Sequence, residues 1–204
     1  MTIPHPTLGA VFFTLLLLLA GCDSSPTVPG ATQVESSPGE DRSMIKLYKK
    51  EDTKWHYHEA WANDRVITEQ WGIVGERGTT REHPLPAGDS TTAALRKVLH
   101  AAYGRGYAEV PLDKHAILLV EYAVDGFGTP EDLDKRHRLE ERLGETLGWT
   151  GLGHCDGGST GSGTMEAACF VIDFEVAKAV VAKDLEGTEF ANFTRLYDEG
   201  NTKD

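Results

Sequence analysis

The sequence predicts an α+β protein built as two small modules. Short stretches between residues 44 and 85 alternate apolar and polar side chains, the period of a half-buried strand. Three longer stretches carry apolar residues at helical spacing and open on Ser, Thr or Asp. From residue 113 to 200 the strand and helix patterns follow one another as β-α-β-β-α-β.

The first module spans residues 44–112. "MIKLYKK" (Met44–Lys50) alternates and reads as its first strand. "KWHYHEAWAN" and "RVITEQWGIVG" flank Asn63-Asp64, a suitable hairpin turn. "TTREHPL" adds a fourth strand, which Pro84 and Pro86 end or hold at a sheet edge. "DSTTAALRKVLHAAYGRGY" then turns helical. Leu95, Val98, Leu99 and Ala102 form one apolar stripe, with Ser90 or Thr91 as cap and Gly104 or Gly106 as the end. The result is a small antiparallel sheet with one helix laid across it. His56 and His58 share a face of their strand, opposite Trp55, Tyr57 and Glu59, and His83 is a third histidine nearby in sequence. Zinc sites take three or four protein ligands, so this pattern reads as an alternating strand and no metal is expected.

Trp71, Gly72, Val74, Gly75, Gly78, Ala94 and Gly106-Tyr107 together resemble a WGR domain over about 65 residues. The resemblance implies a binding module. In DNA-damage-activated ADP-ribosyltransferases the family's Trp packs on a DNA end and its Arg signals to neighbouring domains. Ile73 stands here at the Arg position, which removes the cation a partner would read. Trp71 then reads as sheet-face packing. Trp71 and Arg77 are the module's candidate ligand-binding residues.

The second module spans residues 113–200. "HAILLVEYAV" (His115–Val124) is a strong strand. Thr129-Pro130-Glu131-Asp132 opens a helix with a hydroxyl cap, an early Pro and acids near the positive end of the dipole. Leu139, Leu143 and Leu147 line one face of it. Asp173 caps a second helix whose apolar face is Val176, Ala177, Val180 and Val181, and "EFANFTRLYDE" supplies the last strand. This order resembles a ferredoxin-like sandwich, with two helices on one face of a four-stranded antiparallel sheet. That fold hosts many functions and assigns none.

Between the middle strands lies "HCDGGSTGSGT" (His154–Thr164), read as a β-hairpin with a long, mobile, glycine-rich tip. Gly157, Ser159 and Gly161 match G-x-S-x-G, but that motif works on a strand-turn-helix elbow and a strand follows here. A phosphate loop needs a Lys that Gly163-Thr164 lacks. Asp156 and Ser159 are the candidate ligand-binding residues of this loop, and no catalytic constellation or cofactor is expected. If the turn centres on Ser162, residues whose numbers sum to 324 face each other. Cys155 and Cys169 then become disulfide partners in an exported protein.

The amino-terminal region points to export. Leu8–Ala20 is an apolar run of 13 residues, too short to cross a bilayer and of the length of a signal's apolar part. It ends in Leu19-Ala20-Gly21-Cys22, which resembles the lipobox of bacterial lipoproteins. The resemblance implies removal of residues 1–21 as a signal peptide and diacylglycerol and palmitate-type acylation at Cys22. "MTIPHPT" lacks the Lys or Arg that export signals carry. Residues 22–43, rich in Ser, Pro, Gly and acids, read as a disordered tether.

Charge narrows the partners. The chain carries −12 overall, and residues 113–204 hold nineteen acids against nine bases. That half repels nucleic acid and favours a basic protein partner. Residues 44–112 are nearly neutral, without the basic footprint of a nucleic-acid binder. The expected function is a membrane-anchored envelope lipoprotein, held to membrane lipid through Cys22, that acts as a non-enzymatic binding module for a protein or other ligand. Two alternatives stand beside it: a nucleic-acid-binding WGR protein, and an enzyme using the Gly-rich 154–164 loop.

Overall fold

A computed structural model describes residues 41–88 and 90–201. The expected signal peptide, Cys22 and nearly all of the expected tether lie outside them. Among the described residues the architecture is mixed α+β, with two four-stranded antiparallel sheets and four α-helices in one compact unit. No helix among the described residues is long and apolar enough to cross a membrane.

The first sheet is a meander of β1 (Met44–Glu51), β2 (Lys54–Asn63), β3 (Val66–Ile73) and β4 (Thr79–Pro84). Asn63 pairs with Val66, so the turn is Asp64-Arg65, one residue later than the sequence suggests; Asp64 takes the left-handed conformation that Asp tolerates. One face of this sheet carries Ile45, Leu47, Ala60 and Ile67 against α1 (Thr91–Val98) and α2 (His100–Gly104). The predicted single helix is thus two. Its stripe survives the break, since Leu95, Leu99 and Ala102 are all buried. Ser90 caps α1, and Asp41 reaches its first turn, accepting hydrogen bonds from Thr92 N and Ser90 Oγ at 2.9 Å each.

The second sheet has the order β6-β7-β5-β8, from β5 (Ala116–Ala123), β6 (Gly153–Gly161), β7 (Thr164–Val171) and β8 (Arg195–Asp198). A capping box at Thr129 and Asp132 starts α3 (Pro130–Trp149), and Asp173 starts α4 (Phe174–Leu185). Leu139, Leu143, Leu147, Ala177 and Val181 pack on Leu118, Val120, Met165 and Val171 of the sheet. The stretch read as a long glycine-rich tip is instead strand β6, and only Ser162-Gly163 turn. Bare glycines still pair in a ladder, and at Gly158 an added Cβ would lie 2.0 Å from the Glu166 carbonyl oxygen.

Cys155 faces Cys169 and the two form a disulfide. The register differs from one centred on Ser162. Gly161 pairs with Thr164, and a bulge between Cys155 and Gly158 moves the ladder by one residue. That bulge brings the cysteines into line.

The two sheets share a core. Tyr48, Tyr57 and Val74 from the first pack with the apolar residues of the second. Tyr57, fully buried, lies against Gly151, where the backbone is left-handed (φ 66°) and an added Cβ would fall 2.2 Å from the Tyr57 ring. Gly75 N donates to the Thr150 carbonyl at 2.9 Å, and a Cβ on Gly75 (φ 92°) would fall 2.5 Å from Val176. The glycine that carried part of the WGR resemblance therefore seats the first sheet on α4.

Candidate functional site

Alternation in β2 and β3 sorts side chains onto two faces. The face toward α1 carries His58, Glu69, Trp71 and His83. His58 Nε2 and His83 Nε2 each lie 2.7 Å from one oxygen of buried Glu69. Burial pushes the Glu69 carboxyl up, but the hydrogen bonds from His58 and His83 outweigh it and leave it below its ordinary value. The histidines are thus tied to a carboxylate. Among the described residues, no group of three or more His, Cys, Asp or Glu side chains is arranged to hold a metal. Trp71 is partly buried, stacked on His58 with ring centres 5.6 Å apart, and the Arg81 guanidinium lies 5.3 Å from its ring centre.

Acid should weaken this fold. Asp41 is held at about 2 by the Thr92 backbone and the Ser90 hydroxyl. Glu121 is lowered by the Arg195 guanidinium, against burial and with help from Thr194. Together with Glu69, these carboxyls have folded values below their unfolded ones. Their contribution is complete above about pH 4.5 and is lost as pH falls toward 2. Urea-unfolding midpoints should drop as pH falls from about 4.5 to 2. A midpoint flat between pH 4.5 and 2 would contradict the assignment.

The other face of the first sheet meets α3 across a cleft with two chambers. Both are lined by Met44, Gly144 and Gly148. A Cβ on either helix glycine would meet no other atom within 4 Å, so these positions leave the floor open.

The first chamber, about 400 Å³, adds Glu59, Trp61, Gln70, Glu145 and Trp149. The Trp61 and Trp149 rings stand edge to face at 5.8 Å. Gln70 is 1 % exposed; its Nε2 donates to Tyr57 Oη and to the Trp149 carbonyl, each at 2.8 Å. Its Oε1 is buried with no hydrogen-bond partner among the described residues. Glu59, also 1 % exposed, pairs with Lys46 at 2.8 Å. Burial raises its carboxyl against the pull of Lys46. The chamber therefore offers hydrogen-bond acceptors and aromatic walls, the chemistry of amine recognition.

The second chamber, about 490 Å³, is lined by Lys46, Tyr48, His115 and His154 among others. The Tyr48 hydroxyl is buried and has no hydrogen-bond partner among the described residues.

The four candidate residues from sequence occupy separate environments. Trp71 packs with His58 on the helix side of its sheet. Arg77 lies 4.7 Å over the Trp149 ring, beside the first chamber. Asp156 is exposed at the β6 bulge. Ser159 is exposed and donates to Glu166 at 3.0 Å, and Glu166 also accepts from Tyr197. Sequence reasoning passed over Glu59, Gln70, Tyr48 and the helix glycines. The usable signal was Glu59 alternating with Tyr57 and Trp61 on one strand face, together with Gly144 and Gly148 one turn apart in a long helix.

No protein-family profile matches this chain, and comparison with curated proteins and with solved structures finds no match.

Proposed function

We propose that the chain is a lipid-anchored protein of the bacterial cell envelope, a non-enzymatic binding module whose first chamber takes a basic side chain of a partner protein. The lipobox-like Leu19-Ala20-Gly21-Cys22 and the polar tether supply the anchoring part of this reading. Strand order β6-β7-β5-β8, with α3 and α4 packed on one face, supports a ferredoxin-like second module. The four-stranded meander with Trp71-Gly72 supports a WGR-like first module.

The observation that carries the binding reading is Gln70 Oε1, an acceptor without a partner among the described residues, beside buried Glu59 in a chamber walled by Trp61 and Trp149. A buried acceptor without a donor costs about 1–3 kcal/mol, which an incoming ammonium group offsets. A long apolar stem ending in a cation suits the two indoles.

The test is a titration of the purified protein with acetyl-Gly-Lys-Gly-amide, followed by the indole N–H resonances. Trp61 and Trp149 should shift while Trp71 stays. The matching Glu peptide should shift neither. Equal shifts with both peptides, or no shift at Trp61 and Trp149, would reject the reading.

A further inference from the structure

The second chamber has the opposite polarity from the first. Its charged lining residues are Arg42, Lys46 and Glu109, where the first chamber has Glu59 and Glu145. Arg42 is committed to Glu109, 2.6 Å away. Lys46 gives one contact to Glu59 at 2.8 Å, and an ammonium has three N–H groups. Tyr48 is 4 % exposed. Burial, and then the Glu59 charge, push its hydroxyl well above the phenol range, so it stays protonated and remains a donor. His115 spends Nδ1 on the Pro111 carbonyl at 3.1 Å, and His154 stacks on Phe170. Met44, Val110 and Leu112 add apolar wall, with Met44 and Leu112 40 % and 49 % exposed.

We propose that this chamber binds an apolar monocarboxylate, whose oxygens take the Tyr48 hydroxyl and the Lys46 ammonium while its hydrocarbon body lies on Met44, Val110 and Leu112. The Tyr48 donor, without a partner among the described residues, calls for an acceptor, and a buried donor left unmade is costly. Lys46, already paired with Glu59, keeps N–H groups for one carboxylate, and Arg42 is committed to Glu109, so nothing balances a phosphate's second charge. The exposed apolar rim adds transfer free energy for a hydrocarbon body but none for a bare inorganic ion.

The experiment is calorimetric titration of the purified protein with benzoate in carboxylate-free, phosphate-free buffer, with benzyl alcohol and inorganic phosphate as comparison probes. Benzoate should bind, and the other two should bind at least tenfold more weakly. Tyr48→Phe deletes an unpartnered hydroxyl, so it should fold as stably as the parent yet bind benzoate about tenfold more weakly. Its response to the lysine peptide should not change, which separates this site from the amine chamber. Nuclear Overhauser contacts from benzoate to the Met44 and Val110 methyl groups locate the ligand without any variant. Phosphate binding as tightly as benzoate, contacts only to other residues, or full benzoate affinity in Tyr48→Phe would each overturn the proposal.

Discussion

Tyr57→Ala should cost about 3–5 kcal/mol, the range for deleting a buried aromatic, and so consume a large part of a stability of about 5–15 kcal/mol. Tyr57 is fully buried between the two sheets, its ring against Gly151 and its hydroxyl accepting from Gln70. The cavity cannot close easily, because Gly72, Gly78 and Gly151 bring backbone to the ring and carry no side chain to fill the gap. Tyr57→Phe keeps the ring and removes the hydroxyl. Gln70 Nε2 still reaches the Trp149 carbonyl, so the cost should be about 1 kcal/mol. Urea unfolding of both variants measures the two terms. Equal midpoints for parent and Tyr57→Ala would mean that the sheets do not depend on this contact.

Gly144→Leu should move stability and binding in opposite directions. Gly144 sits mid-helix in α3, where glycine is about 0.8–1 kcal/mol less favourable than Ala and Leu is close to Ala. Its Cβ direction is open space inside the cleft. A leucine there should therefore raise unfolding stability by up to about 1 kcal/mol while filling the shared floor of both chambers. Affinity for the lysine peptide should fall at least tenfold. A variant that is more stable and binds normally would place the ligand elsewhere. Gly144→Ala separates the two effects, since one methyl group captures most of the helix gain and little of the obstruction.

The elements were legible where local physics settles them. Thr129-Pro130 and Asp173 marked two helix starts through their caps, and Leu139, Leu143 and Leu147 marked a buried face by spacing alone. The glycine-rich stretch misled because its residues carry no pattern of their own. Pairing with β7 makes β6 a strand, and that information lies in Thr164–Val171. The bulge at Asp156-Gly157 was invisible for the same reason, although it decides that Cys155 meets Cys169.

The candidate site was less legible because it forms between modules read separately. Glu59 and Gln70 look like ordinary polar positions of alternating strands. They become unusual only when α3 covers them and their water is gone. Gly144 and Gly148 look like weak points in a helix until the sheet stands opposite. Trp71 drew attention through a motif and proved to be a packed neighbour of His58, whereas Trp149, at a helix end without a motif, lines the cleft.

The account rests on a tethered binding module, and the tether is tested most directly by the mass of the amino-terminal peptide. Protein recovered from the membrane fraction of the cells that make it should lack residues 1–21 and begin at a Cys22 heavier by a diacylglyceryl group, with or without a further acyl chain. Recovery from the soluble fraction with Met1 in place and an unmodified Cys22 would contradict the account.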